Sequence, residues 1–277
     1  MKIAFQQVMA SEEGDKWVIN FNQVLRKNID LVKSKDTEVV FQTLKRGINR
    51  FEAMAFSYLN LLEAREILEG VIQAEKDGFD AVMICCFLDS TIREARQAVD
   101  IPVLGPGESS MLMATMMGAK FGIVTTAPEG AFDMEGNVVK YGLSGRATSI
   151  KPINATPREQ MNIISDAHEG IEAFKKVARE LIKEGAEILI PGCMVMAPGL
   201  RLAPGCPELP HGLREVDGVP VMDVVGTQVL ITEMMVRLKK AGSAWVSRKG
   251  FFAQPREKVL KATLSAMPYE GPGVWRS

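Results

Sequence analysis

A chain of 277 residues with 47% hydrophobic content can bury the core of one large domain or two small ones. Its 33 basic and 34 acidic residues leave a formal net charge of −1, and no run of like charge breaks that balance. This excludes the electrostatic footprint of a nucleic-acid or anionic-membrane binder and leaves a small molecule as the expected partner. The opening "MKIAFQQVMA", followed at once by "SEEGDK", is too short for a secretory leader. No stretch approaches the roughly 18 apolar residues of a membrane span. A cytoplasmic location is therefore expected, in which Cys85, Cys86, Cys193 and Cys206 stay reduced.

Apolar runs of strand length come in chain order at Lys2 to Gln7, Thr37 to Lys45, Ala81 to Cys86, Pro102 to Leu104, Phe121 to Thr125, Ile188 to Pro191 and Pro220 to Val224. Helical patterns lie between them, for example at Leu61 to Lys76, Thr91 to Val99, Glu129 to Tyr141 and Ile171 to Glu184. Alternation of this kind predicts an α/β protein with parallel strands built from βαβ units. Thr91 and Glu94 have capping-box spacing, which predicts a helix starting within a turn of Cys86. The methionine-rich "MLMATMM" at 111–117 reads as the core side of a helix.

An internal echo organises these elements. "AEKDGFDAVMICC" at 74–86 lies beneath "LIKEGAEILIPGC" at 181–193, each reading helix, glycine stop, strand, cysteine. "IPVLG" at 101–105 is matched by "VPVMD" at 219–223, and "KIAF" at the start by "FGIV" at 121–124. Two similar parallel-sheet lobes follow. The first is expected to hold residues 1–110 with about 220–242, the second about 111–219. Residues 243–277 form a C-terminal extension acting as a clasp or lid. Each lobe carries a cysteine at the carboxyl end of a strand, where open α/β sheets bind ligands, so the active site is expected in the cleft between them.

Cys85 and Cys86 are adjacent, so alternation along a strand sends them to opposite faces. Cys85 reads as a small buried hydrophobe. Cys86 stands at the strand-to-turn junction and Cys193 at the matching junction of the other half. Opposed thiols suit proton transfer at a carbon beside a carbonyl, one acting as base and the other as acid. "GPGESS" at 105–110 reads as a tight turn before a helix, because the full dinucleotide fingerprint is missing. His168 and His211 lack partners at metal-ligand spacing, and Cys206 sits in the proline-rich "APGCPELPH". The expected chemistry needs neither cofactor nor metal.

"ICCFLDSTIREARQAVDIPVLGPGESS", "FGIVTT", "GAEILIPGCMVMAPGL" and "DGVPVMDVVGTQV", taken as an ordered set, resemble the aspartate/glutamate/hydantoin racemase superfamily, and most closely its hydantoin and allantoin racemase branch. The resemblance implies that Cys86 and Cys193 are acid and base, and that Thr125 and Thr126 lie near the substrate's polar groups. Gln7 and Ser11 occupy the expected substrate loop, where "QQVMASEEG" replaces an Asn-Pro-Asn pattern. Phe87, Leu88, Met194 and Val195 flank the cysteines. Leu88, Met194 and Val195 are bulkier than the residues usual there, which implies a differently shaped pocket. The implied enzyme is a cofactor-independent racemase or epimerase acting on a small amide, a hydantoin-like ring or an amino-acid derivative. The same scaffold also serves cis–trans isomerases and decarboxylases, and a non-catalytic binding protein is a third reading. The resemblance leaves room for a homo-oligomer.

Overall fold

The computed structural model describes residues 1–267 and 274–276. The chain begins with β1 (Lys2–Ala10), α1 (Lys16–Asp30), β2 (Glu38–Leu44), α2 (Ser57–Lys76), β3 (Ala81–Cys85), α3 (Ile92–Ala98) and β4 (Val103–Leu104). It continues through α4 (Pro106–Met117), β5 (Phe121–Thr125), α5 (Pro128–Lys140), β6 (Ala147–Pro152), α6 (Pro157–Asn162), α7 (His168–Lys183), β7 (Ile188–Pro191) and α8 (Met196–Leu202). A short hairpin of β8 (Glu215–Val216) and β9 (Val219–Pro220) leads to α9 (Val224–Lys240), α10 (Glu257–Ala266) and β10 (Val274–Arg276).

Two sheets result, one per lobe. The first has the order β10-β2-β1-β3-β4, parallel except for β10, and the second the order β6-β5-β7, all parallel. Val221 pairs in parallel with Leu189 of β7 and so marks a fourth position in the second sheet. The orders 2-1-3-4 and 6-5-7-(Val221) are the same, and each sequence echo falls on equivalent strands.

The echo extends to local chemistry. Gly78 and Gly185 end α2 and α7 with φ of +78° and +95°, a left-handed conformation that costs glycine little. In both places the next residue closes the helix: Phe79 N–H donates to Ala74 O and Ala186 N–H to Leu181 O, at 3.1 and 3.0 Å. The acidic residue two positions after each glycine does matching work. The Asp80 carboxylate accepts from Lys2 N–H at the start of β1, and Glu187 from Ala119 N–H just ahead of β5, at 2.8 and 2.7 Å.

Strands covered on both faces need continuous apolar runs, and β3, β5 and β7 are buried along their whole length. On α7 the buried Ile171, Phe174, Val177, Ala178 and Leu181 recur at three- and four-residue spacing, forming one apolar stripe. Burying a side chain such as Phe174 contributes about 1.5–3 kcal/mol. One hydrophobic cluster runs through both lobes, from Ile3 and Phe5 to Phe121 and Ile123. A second cluster, with Ala4, Val8, Ile84 and Cys86, fills the other face of the first sheet under α2 and α3. Helices α4 and α9, which occupy equivalent places in the repeat, pack on each other.

Three sequence expectations are corrected. Thr91 stands at the N-cap of α3 but its side chain makes no capping bond: it is in the left-handed region at φ +62°, and its hydroxyl donates to Ser90 O. Of the strand expected at Pro220 to Val224, Pro220 belongs to the β8–β9 hairpin and only Val221 bridges to the second sheet, because Asp223 already caps α9 by accepting from Gly226 N–H at 2.8 Å. Of the 111–117 methionines only Met111 is buried, and Met116 and Met117 are exposed, since α4 covers the core with one face only. Trp245, Arg248 and β10 of the extension contact the first lobe. Trp245 donates to Asp100 O, and the Arg248 guanidinium donates to the carbonyls of Arg96 and Val99 at the end of α3. β10 pairs antiparallel with the outer edge of β2. Residues 268–273 and 277 of the extension lie outside the described residues.

Candidate active site

Cys86 follows the last residue of β3 and Cys193 follows β7 by two residues, so both stand at carboxyl ends of equivalent strands. The two sulfurs are held alike. The backbone N–H of Leu88 and the Ser90 hydroxyl favour the Cys86 thiolate. Cys193 accepts from Val195 N–H at 3.4 Å, and the Met196 N–H also favours its thiolate. In each case the donor two residues ahead lowers the thiol pKa, while burial raises it more. The outcome is a Cys86 thiol pushed up to about 12 and a Cys193 thiol also raised. A charge on Cys193 further opposes ionisation of Cys86.

Cys85 and Cys86 belong to the clusters on opposite faces of β3, as strand alternation requires. Cys85 is nevertheless near Cys193: the latter packs against Cys85's cluster, and its charge bears on Cys85 as well. What separates the neighbours is their surroundings. No hydrogen-bond donor lowers the Cys85 pKa, and burial raises that thiol well above its ordinary value.

The loop carrying Cys86 is anchored by Asp89. This buried carboxyl accepts from Gly107 N–H at 2.9 Å, Glu108 N–H at 2.6 Å and the Tyr141 hydroxyl at 2.7 Å. Burial pushes its pKa up to about 7 despite those three donors. Asp89 and Thr91 both adopt positive φ, 53° and 62°, a conformation disfavoured for residues bearing Cβ. The contacts of Asp89, and the Asn137 amide donating to Leu88 O at 2.8 Å, hold the loop in it. Asn137 and the C-terminal neighbour Tyr141 come from the α5 region of the other lobe. The "GPG" turn is thus a cradle for a carboxylate: a Cβ on Gly105 would stand 2.1 Å from Asp89 Oδ1, and one on Gly107 2.5 Å from Phe87 O.

Cys193, Thr126 and Val195 line one cavity of about 100 Å³, with Asn154, Asn162, Glu159 and Asp166 among its polar residues. Ile163, Gly170 and Met196 line it as well. Helix α1 reaches from the first lobe to the same segment, where Trp17 Nε1 donates to Met161 O and Asn20 to the Ser165 hydroxyl, at 3.4 and 3.3 Å. The other residues singled out from sequence, Cys86 among them, do not line this cavity. Thr125, Phe87 and Met194 are buried, and Leu88 packs against both hydrophobic clusters. The expected substrate loop is partly strand: β1 continues to Ala10, and Gln7 pairs with Cys85 across the sheet. The Gln7 side chain is taken up by Asn22 and Thr43. Ser11 is anchored through its N–H to Leu44 O at 3.0 Å.

Sequence reasoning missed Asn154, Asn162 and Asp166. A legible signal lay beside them: Thr156 and Glu159 form a true capping box at the start of α6, each side chain bonding the other's backbone N–H. Among the described residues, the one group able to hold a metal ion is His168, Cys206 and Glu208, which adjoins the cavity through Asp166.

A repeated parallel sheet with a cysteine after the equivalent strand of each half defines the class, and residues 24–232 match the family model Asp/Glu/Hydantoin racemase. The chain belongs to that family of isomerases. Within it the chain falls in the hydantoin and allantoin racemase branch. It is 31% identical over 209 residues, 75% of this chain and 78% of the other, to a hydantoin racemase from Pseudomonas sp. (strain NS671). Its fold is that of an allantoin racemase from Klebsiella pneumoniae, with a TM-score of 0.74 at 23% identity, covering 97% of this chain and 100% of that one. An allantoin racemase from Pseudomonas fluorescens is similar to the same degree, with a TM-score of 0.73 at 23% identity over 92% of this chain and 97% of that one.

Proposed function

We propose that this protein racemises or epimerises a small hydantoin-like cyclic amide or amino-acid derivative, with Cys86 and Cys193 as the acid–base pair and no cofactor in the reaction. The observation that carries the reading is the matched setting of the two cysteines, each just past the equivalent strand of its half and each with the backbone N–H two residues ahead favouring its thiolate. One sulfur, as thiolate, takes the proton from the carbon beside the substrate carbonyl. The electron pair passes onto that carbonyl oxygen, and the planar carbon then receives a proton from the thiol on its other face. The base ends as thiol and the acid as thiolate, so the next turnover runs in the opposite sense. Thr126, Asn154 and Asn162 offer hydroxyl and amide partners to the N–H and C=O groups of such a ring.

The test is deuterium uptake from heavy water by each pure enantiomer of 5-substituted hydantoins, with Cys86→Ser, Cys193→Ser and Cys85→Ser. A serine hydroxyl is a far poorer base at neutral pH than a thiol. Racemisation should fall by at least about 100-fold in the first two variants, each keeping exchange for at most one enantiomer, and the two enantiomers should differ. Cys85→Ser should remain active. Full racemisation by Cys86→Ser, or loss confined to Cys85→Ser, would reassign the pair. Loss of CO₂ or geometric isomerisation of an alkene would replace the reaction.

A further inference from the structure

We infer that His168, Cys206 and Glu208 form a binding site for a single divalent zinc-like cation that lies outside the proposed acid–base pair and fastens the 203–209 loop to the start of α7. One ligand atom from each of the three lies within 4.8 Å of the others. Tetrahedral zinc with bonds of about 2.0–2.3 Å brings its ligand atoms to about 3.3–3.8 Å apart. His168 and Glu208 are exposed, so small side-chain rotations close the remaining gap. Nε2 of His168 is already 3.8 Å from a Glu208 oxygen.

Three further features prepare the site. Asp166 Oδ1 lies 2.8 Å from His168 Nδ1. Donation from that nitrogen leaves the Nε2 lone pair free, the carboxylate–histidine support common behind metal-bound imidazoles. The backbone sets the loop: Ala167 N–H donates to Pro204 O at 2.8 Å and Cys206 N–H to Ala203 O at 3.0 Å. Gly205 at φ +82° passes so close to Asp166 that a Cβ would stand 3.1 Å from its carboxylate oxygen. Cys206 itself is buried while its two partners are exposed, so the sulfur forms the floor of a site open on one side.

The donor set decides the ion. One sulfur, one imidazole nitrogen and one carboxylate suit zinc or cobalt, whereas magnesium and calcium need more oxygen ligands. Binding exchanges the Cys206 S–H proton, released to solvent, for a sulfur–metal bond, and water completes the coordination. Metal-ligand spacing does not reveal this set, because His168 stands 38 positions before Cys206 and only folding brings them together.

The experiment is titration of the chelator-treated full chain with cobalt(II), followed by displacement with zinc(II). One equivalent should bind with near-ultraviolet thiolate-to-cobalt absorption and raise the melting temperature. Both signals should persist in the Cys86→Ser/Cys193→Ser double variant. Cys206→Ser should abolish the absorption. His168→Ala, Glu208→Gln and Asp166→Asn, all at exposed positions, should each weaken binding by about tenfold or more while melting normally without metal. Absorption that survives Cys206→Ser, or disappears in the double variant, would place the ion on other thiols and overturn the assignment. Failure of one equivalent to bind at millimolar cobalt would overturn it as well.

Discussion

Replacing Asp89 by asparagine removes one ionisable group from the base of the Cys86 loop, and its effect can be worked out with sign and size. An Asp in the unfolded chain ionises at its ordinary 3.8, whereas the buried carboxyl of the native protein keeps its proton until about 7. Between those values the native state binds more protons than the unfolded state, so stability falls as pH rises through the window and levels off above it. The gap corresponds to about 4 kcal/mol. Asparagine cannot ionise, so this fall should be absent from the variant. It carries one oxygen where the carboxyl uses two to receive Gly107 N–H, Glu108 N–H and the Tyr141 hydroxyl. One backbone N–H then faces the new NH₂ group unpaired, at a cost of about 1–3 kcal/mol. The variant should therefore be less stable than the native protein at pH 5, and the deficit should close or reverse by pH 8. Urea unfolding of both proteins across that range measures it. Glu63, whose pKa burial also pushes up to about 7, contributes equally to both curves and cancels. Parallel curves would refute the reasoning, because they would mean that Asp89 does not hold its proton in the folded protein.

The proposed mechanism needs a thiolate, and burial raises both the Cys86 and Cys193 thiols, so the reactive form should become more abundant as pH rises. kcat/KM should climb from pH 7 through pH 9, and a profile that peaks below pH 7 would contradict it. Leu88 packs against both hydrophobic clusters beside Cys86, so Leu88→Gly should lower stability and, by opening space next to Cys86, shift preference toward substrates with larger ring substituents; unchanged relative kcat/KM across a hydantoin series would show that Leu88 does not shape the pocket. Gly107→Ala places a methyl group against Phe87 O and Asp89, and denaturant unfolding should show a loss of about 1–3 kcal/mol, with a neutral result speaking against the tight cradle.

The alternation of strands and helices, the duplicated order and the strand-end position of both cysteines were legible because each rests on local pattern: apolar runs, glycine stops, an acidic residue two places on. The parts that were not legible depend on long-range contacts. Thr91 has the spacing of a cap, but its loop is drawn into the left-handed region by Asp89, whose partners lie on α4 and beside α5. Asn137 and Tyr141 gave no local sign that they would support a loop of the other lobe. The sequence pattern ends the first strand at Gln7 and starts a substrate loop there, whereas the strand continues to Ala10 through a register shift between Gln6 and Ala10. The polar cavity residues Asn154 and Asn162 come together only when α6 and α7 fold against the end of the second sheet.

The return of α9 to the first lobe has a consequence for the order in which the protein is made. The buried amide of Gln228 donates to Ile84 O and Leu104 O, at the ends of β3 and β4, both at 2.9 Å. α9 also packs on both of those strands. A nascent chain released only as far as the second sheet lacks this donor and this apolar cover, so its first lobe waits with exposed hydrophobic surface for residues synthesised more than a hundred positions later. Early truncation therefore damages the part of the protein made first, and a ribosome paused before α9 displays an incomplete amino-terminal half to chaperones.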